Sequence, residues 1–157
     1  MKPRINWIIH AIGNGITCQK CNDTEYGFVP NACNFHTHGM AKYNHLDFQM
    51  VLQYSPQEIA RILNTLGLRV QRGERFKNGD MVKGIFLDCD VRLMEFEESG
   101  RTVLRVIVPD RLNRFPGEDG CEYPYTLQNF TTDFLYLGSY EGGHNESKLQ
   151  ETLEAPN

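Results

Sequence analysis

Ser55-Pro56-Gln57-Glu58 writes a helix start into a chain that otherwise reads as strands. The serine hydroxyl can cap a first-turn amide, proline takes the first helical position where no amide hydrogen is needed, and Glu58 completes a capping box. Ile59, Ile62, Leu63 and Leu66 then recur at helical spacing on one face, and Gly67 can supply a left-handed residue to end the segment. The spacing predicts one amphipathic helix over residues 56–66 with an aliphatic stripe facing a core.

The partner of that stripe is a sheet. Ile5 to Ile12 reads as a strand ending at the Gly13-Asn14-Gly15 turn, and Asn34 to Gly39 is extended. Asp47 to Tyr54 alternates, with Phe48, Met50, Leu52 and Tyr54 on one face and Asp47, Gln49 and Gln53 on the other. After the helix, Asn78-Gly79 signals a type I′ hairpin between segments 70–77 and 81–87. Val91, Leu93 and Phe96 lead to a turn at Glu98-Ser99-Gly100-Arg101, and Thr102 to Val108 (TVLRVIV) has the β-branched content of a central strand. The expected fold is α+β: a mainly antiparallel twisted sheet, a meander, with one principal amphipathic helix on one face and a Cys-rich N-terminal loop.

At 157 residues this is the size of one domain, expected over 1–140, and the polar tail 141–157 is expected to be partly disordered. The segment 109–125 reads as a surface loop, and Leu127 to Leu137 as a short helix or strand packing back on the sheet. A net charge of −4 with scattered Lys and Arg argues against general nucleic-acid binding. The apolar N-terminal stretch is short and broken by His10, so neither a signal peptide nor a membrane span is expected. A cytoplasmic location follows as the expectation, and the odd count of 5 cysteines argues against a disulfide framework.

Reactive side chains concentrate in one place, Cys18 to His38. Cys18 and Cys21 have the CxxC spacing that lets two thiolates from one tight turn hold a tetrahedral ion, and Cys33 with His36 repeats the two-residue gap. A zinc site built by Cys18, Cys21, Cys33 and His36, with His38 competing for the fourth position, is the expectation. Cys33 has the opposite strand parity to both histidines, so convergence requires a bend or bulge in 31–35. The competing readings are a thiol redox pair and buried structural cysteines. A catalytic reading groups His36, His38, His45 and Asp47, or makes Cys33 a nucleophile with His36 as base. Cys89 and Cys121 read as lone thiols, one in a strand and one in a loop; Asp88 and Asp90 as a solvated strand face; Arg111 and Arg114 as a possible anion clamp or an exposed loop.

From His36 to Pro116, the runs HTHGMAKYNHLDFQMVL, SPQEIARILNTLGLRV, GERFKNGDMVKGIFLDCDVRL and VLRVIVPDRLNRFPGE resemble, in order, the uncharacterised bacterial family known as domain of unknown function 4262. The most specific part is VPD followed by NRFP, and the likeness covers about half the chain. It implies a small bacterial α+β domain and carries no activity, since the family has no established catalytic residues or substrate. Many members have a Tyr-Thr-x-Gly-Leu-like strand where this chain has His36-Thr37-His38-Gly39-Met40, and the upstream CxxC loop is not a general family feature. The Cys and His cluster is therefore read as an elaboration on the scaffold.

The functional expectation is a small zinc-binding protein with a mainly structural metal, acting in binding or interaction with a protein partner. The alternatives are a metal-dependent or cysteine hydrolase using Cys33, His36 and His38, and a metal-free accessory domain.

Overall fold

The computed structural model describes residues 4–12 and 29–140, with side chains to residue 136. Cys18 and Cys21, the Gly13-Asn14-Gly15 turn and the 141–157 tail lie outside the described residues. Within them are six strands, β1 (Ile8–Ile12), β2 (Ala32–His38), β3 (Asp47–Leu52), β4 (Met81–Val82), β5 (Val91–Glu98) and β6 (Arg101–Ile107), and two α-helices, α1 (Pro56–Gln71) and α2 (Thr132–Tyr140). The strands form one sheet in the order β1-β2-β3-β6-β5-β4. The fold is α+β and mainly antiparallel. It is two short meanders, β1-β2-β3 and β4-β5-β6, joined by a parallel β3–β6 pair. A parallel pair needs a crossover, and α1 begins the connection that provides it.

Ser55 caps α1 by accepting the Glu58 amide at 3.2 Å, with Pro56 in the first turn, as the sequence predicts. The Glu58 carboxylate turns instead to Arg61, one helical turn on, accepting its Nε–H at 3.0 Å. Ile59, Ile62, Leu63, Leu66 and Val70 are buried against Phe48, Met50 and Leu52 of β3 and against Leu93, Leu104 and Val106 of the second meander. The helix runs to Gln71, beyond the expected end at 66, and Gly67 is inside it. Its role is close approach: a Cβ at Gly67 would lie 2.5 Å from the Trp7 indole. Trp7 donates its Nε1–H to Asn64 Oδ1 at 2.8 Å, and on the other side Gly39, at φ 131°, approaches so closely that a Cβ would lie 2.9 Å from the Trp7 Cβ. The tryptophan thus locks the chain preceding β1 onto the helix.

The expected hairpin at Asn78-Gly79 is not formed, because residues 70–77 are the end of α1 and the turn after it. Asn78 and Gly79 instead pair with β5: the Glu95 amide donates to Asn78 Oδ1 at 2.8 Å and Gly79 donates to the Leu93 carbonyl at 2.7 Å. The expected strand over 81–87 shrinks to the two residues of β4. Ser99 and Gly100, at φ 51° and 81°, do make the tight turn between β5 and β6. The segment after β6 is organised by Asp110, whose carboxylate accepts the amides of Leu112, Arg114 and Glu122 at 2.9–3.0 Å.

The second face of the sheet is covered too. A short 3-10 helix (Tyr125–Asn129) and α2 bring Leu127, Leu135 and Tyr136 together with Val29 and Ala32. Between this small cluster and the strands lies a row of buried polar side chains, described below. No helix among the described residues is long and apolar enough to cross a membrane.

Replacing Gly67 by alanine tests the Trp7 contact. A helix-interior Gly→Ala change ordinarily stabilises by up to about 1 kcal/mol. Here overpacking against the ring, typically costing about 1–3 kcal/mol, is expected to reverse the sign. Urea unfolding should show a lower midpoint at unchanged slope; a raised midpoint would mean that the indole does not occupy this position.

Candidate metal centre

His36 and His38 are two apart in β2 and share its face, and His10 of β1 lies directly opposite His36 in the antiparallel pair. The three imidazoles converge, with one ligand nitrogen from each within 4.8 Å of the others. His36 Nε2 and His38 Nε2 are 3.1 Å apart, and the His10 ring packs edge-on against His38 at 4.9 Å between centroids. Two nitrogens on one tetrahedral zinc, each at about 2.0–2.1 Å, sit roughly 3.3–3.4 Å apart. The His36–His38 pair is therefore already close to the spacing of two nitrogens on one ion, and a His10 ring nitrogen lies within 4.8 Å of theirs.

Behind His36 a line of polar side chains crosses the sheet. His36 lies opposite Gln49 of β3, and Gln49 lies opposite Arg105 of β6. His36 Nδ1 is 3.3 Å from Asn34 Oδ1, which accepts Gln49 Nε2–H at 3.1 Å; Gln49 Oε1 in turn accepts Arg105 Nε–H at 2.9 Å. Arg105, 0% exposed, pairs with Glu98 at 2.6 Å, and the Glu98 carboxylate also accepts the Thr132 amide and hydroxyl. The second guanidinium nitrogen donates to the carbonyls of Gln128 and Phe130, and the group stacks on Phe96 with Cζ 3.7 Å from the ring centre.

The structure brings His36 and His38 together as the sequence predicts and adds His10, which sequence reasoning had used only as a break in an apolar run. It does not bring Cys33 into this group. The register of β2 against β3 shifts between Ala32 and Phe35, as a bulge would produce, yet Cys33 still turns to the α1 side, where its thiol meets the carbonyls of Leu52 at 3.5 Å and Met50 at 3.8 Å. His45 stands elsewhere: its Nδ1–H donates to the Leu46 carbonyl and its Nε2 accepts the Phe76 amide at 3.0 Å. Asp47 accepts from the Thr37 hydroxyl, the Met40 amide and Arg101, which makes it a structural carboxylate.

The remaining candidates are tied into the fold. Arg111 and Arg114 both reach Glu122, and Arg114 also pairs with Asp110, so they do not form an anion clamp. Burial would raise the Asp110 carboxyl, but the amides of Arg114 and Glu122, the Arg114 side chain and the Leu112 amide outweigh it and hold the group below the usual range. Cys89 is in an irregular segment, not in a strand, beside a cavity of about 230 Å³ lined by Tyr54, Phe86, Val108 and Tyr125. Burial and then the flanking Asp88 and Asp90 push its thiol up, away from thiolate chemistry. Burial likewise lifts Cys121 to about 11.

Burial, reinforced by Arg101, His38 and His10, depresses the His36 pKa to about 3. An unfolded histidine titrates near 6.5, so between pH 6.5 and 3 the unfolded chain takes up a proton that folded His36 refuses. Stability contributed by the neutral ring is full above pH 6.5 and is lost as pH falls toward 3. For metal-free protein, urea unfolding at stepped pH is expected to show this acid loss, up to about 1.4 kcal/mol per pH unit, and His36→Gln should flatten it by about one proton. Parallel profiles for the two proteins would show that His36 is not held neutral. No protein-family model, no curated protein and no solved structure matches this chain.

Proposed function

We propose that this chain is a zinc-binding protein with a centre built by His10, His36 and His38, and that the ion is mainly structural, clamping edge strand β1 onto β2. The observation that carries the reading is the convergence of three imidazole nitrogens within 4.8 Å from two paired strands. Neutral imidazole is a standard donor to zinc, and a ligand held neutral far below pH 7 binds without proton competition. β1 is the edge of the sheet and pairs with β2 alone among the described strands. A metal bond from His10 to the β2 histidines adds a cross-link there, and binding free energy becomes folding free energy. The bacterial domain likeness over residues 36–116 belongs to the same proposal: the scaffold is shared and the histidines are an addition that serves binding or interaction.

The hydrolase reading keeps one supporting observation. Three imidazoles leave one position of a tetrahedron, where a metal-bound water would become a nucleophile near neutral pH. It would use His10, His36 and His38 and not Cys33, whose thiol is on the α1 side of the sheet.

Metal analysis of protein purified without added metal should find about one zinc per chain, and protein without zinc would sink the proposal. His10→Ala and His38→Ala should each weaken zinc binding by more than about 100-fold, beyond what an outer-shell change does. Chelation should lower the melting temperature of the wild type and leave that of His38→Ala unmoved. Cobalt substitution then reads the fourth donor. A thiolate charge-transfer band that disappears in Cys18→Ser or Cys21→Ser marks a closed structural site, whereas a thiolate-free spectrum with an exchangeable water marks the open, hydrolytic one.

A further inference from the structure

The hydrogen-bond line behind His36 has a polarity, and the polarity is imposed from the far end. A guanidinium has five N–H donors and no acceptor. Arg105 Nε therefore obliges Gln49 to present its oxygen, at 2.9 Å. With its oxygen so placed, Gln49 turns its amide nitrogen to Asn34 and donates at 3.1 Å, so Asn34 presents oxygen in turn. That same Asn34 oxygen is what His36 Nδ1 meets at 3.3 Å, the longest link in the line. An amide oxygen only accepts, so Nδ1 must carry the ring hydrogen. Nε2 is left with its lone pair, and Nε2 is the atom that faces His38.

Arg105 cannot relax to another arrangement, because each of its nitrogens is engaged. Glu98 holds one, the carbonyls of Gln128 and Phe130 hold another, Gln49 holds Nε, and Phe96 stacks on the plane. The row is also straight, since His36, Gln49 and Arg105 are successive cross-strand partners.

From this we infer that Arg105, acting through Gln49 and Asn34, is a positioning residue that fixes His36 in the one tautomer able to bind a metal through Nε2. The inference rests on the zinc reading for its purpose and not for its test, because the tautomer exists in the metal-free protein.

Two isosteric variants push the line in opposite directions. In Gln49→Glu the carboxylate still accepts from Arg105 but has no hydrogen for Asn34. Asn34 must then turn its NH2 toward residue 49, donate to His36 Nδ1 as well, and drive the ring to the Nε2–H form. In Asn34→Asp the carboxylate accepts from both Gln49 and His36, so the Nδ1–H form is kept. A purely structural role for these amides would not separate the two variants by tautomer.

Long-range ¹H–¹⁵N spectra of the metal-free proteins read the tautomer directly. Wild type and Asn34→Asp should show His36 protonated at Nδ1, and Gln49→Glu should show it protonated at Nε2. Zinc affinity, from competition with a chromophoric chelator, should fall about 10–100-fold in Gln49→Glu and should not fall in Asn34→Asp. A wild-type ring protonated at Nε2 overturns the inference, as does a folded Gln49→Glu protein with an unchanged His36. If Gln49→Glu does not fold, the wild-type and Asn34→Asp spectra still decide. A wild type with the expected tautomer that binds no zinc supports the relay and removes the metal reading alone.

Discussion

A guanidinium with no solvent exposure costs several kcal/mol of desolvation unless it is paired and hydrogen-bonded, and Arg105 engages each of its three nitrogens by recruiting the rest of the fold. Its partners come from β3, from β5 and from the segment preceding α2, which are far apart in sequence. Burial pulls its pKa down to about 10 and Glu98 resists the fall, so the group remains charged at neutral pH. An ion pair of this kind adds little net stability over a well-packed apolar pair. What it supplies here is register. A slip of one residue in β6 would turn Arg105 into the apolar α1 face, among Phe48, Ile62 and Leu66, and would turn Leu104 and Val106 out of it. The parallel β3–β6 pair, the joint between the two meanders, is thereby held to one alignment.

The two faces of the sheet consequently do different work. The α1 face is apolar and closed by Trp7, so it carries the hydrophobic stabilisation. The other face is a polar row from Glu98 to His10, covered at the Glu98 end by the 125–136 segment. Histidines at the edge of such a row inherit its order: His36 is 1% exposed and stands on hydrogen bonds that lead back to a charge that cannot move. Arg101, held by Asp47 at 3.0 Å, adds positive potential near the same ring. A neutral, oriented imidazole is the product, which is what a metal requires of a ligand.

Local signals were legible in the sequence. The Ser55 cap, the alternation of Phe48, Met50 and Leu52 against Gln49, and the Ser99-Gly100 turn each depend on neighbours a few residues away. Signals whose meaning depends on distant partners misled. Gly67 reads as a helix stop until Trp7 is seen packed on it, and Asn78-Gly79 reads as a hairpin until both are found bound to β5. Two of the three converging histidines were visible as His36-Thr37-His38. His10 was not, because the pairing of β1 with β2 crosses a long connection that fixes no register from sequence. Arg105 had a usable signal: a single charge inside TVLRVIV, among residues that must be buried, demands a buried acceptor elsewhere. Glu98, four residues before the start of that run and read as a turn residue, is the acceptor.

The position of Arg105 also ties the two ends of the polar row together thermodynamically. One nitrogen faces Gln49 and the line to His36, while others hold Gln128 O, Phe130 O and Glu98, and Glu98 holds the start of α2 through Thr132. If Arg105 presets the ligand tautomer, then any force that orders the 128–132 segment also favours metal binding. By reciprocity, metal binding favours that segment's docked state by the same free energy. A set of three surface histidines without such backing would have to select its tautomer, its rotamer and its metal in one event. Here the first selection is already made by the fold, and the cost of making it falls on a buried ion pair that the parallel strand joint requires in any case.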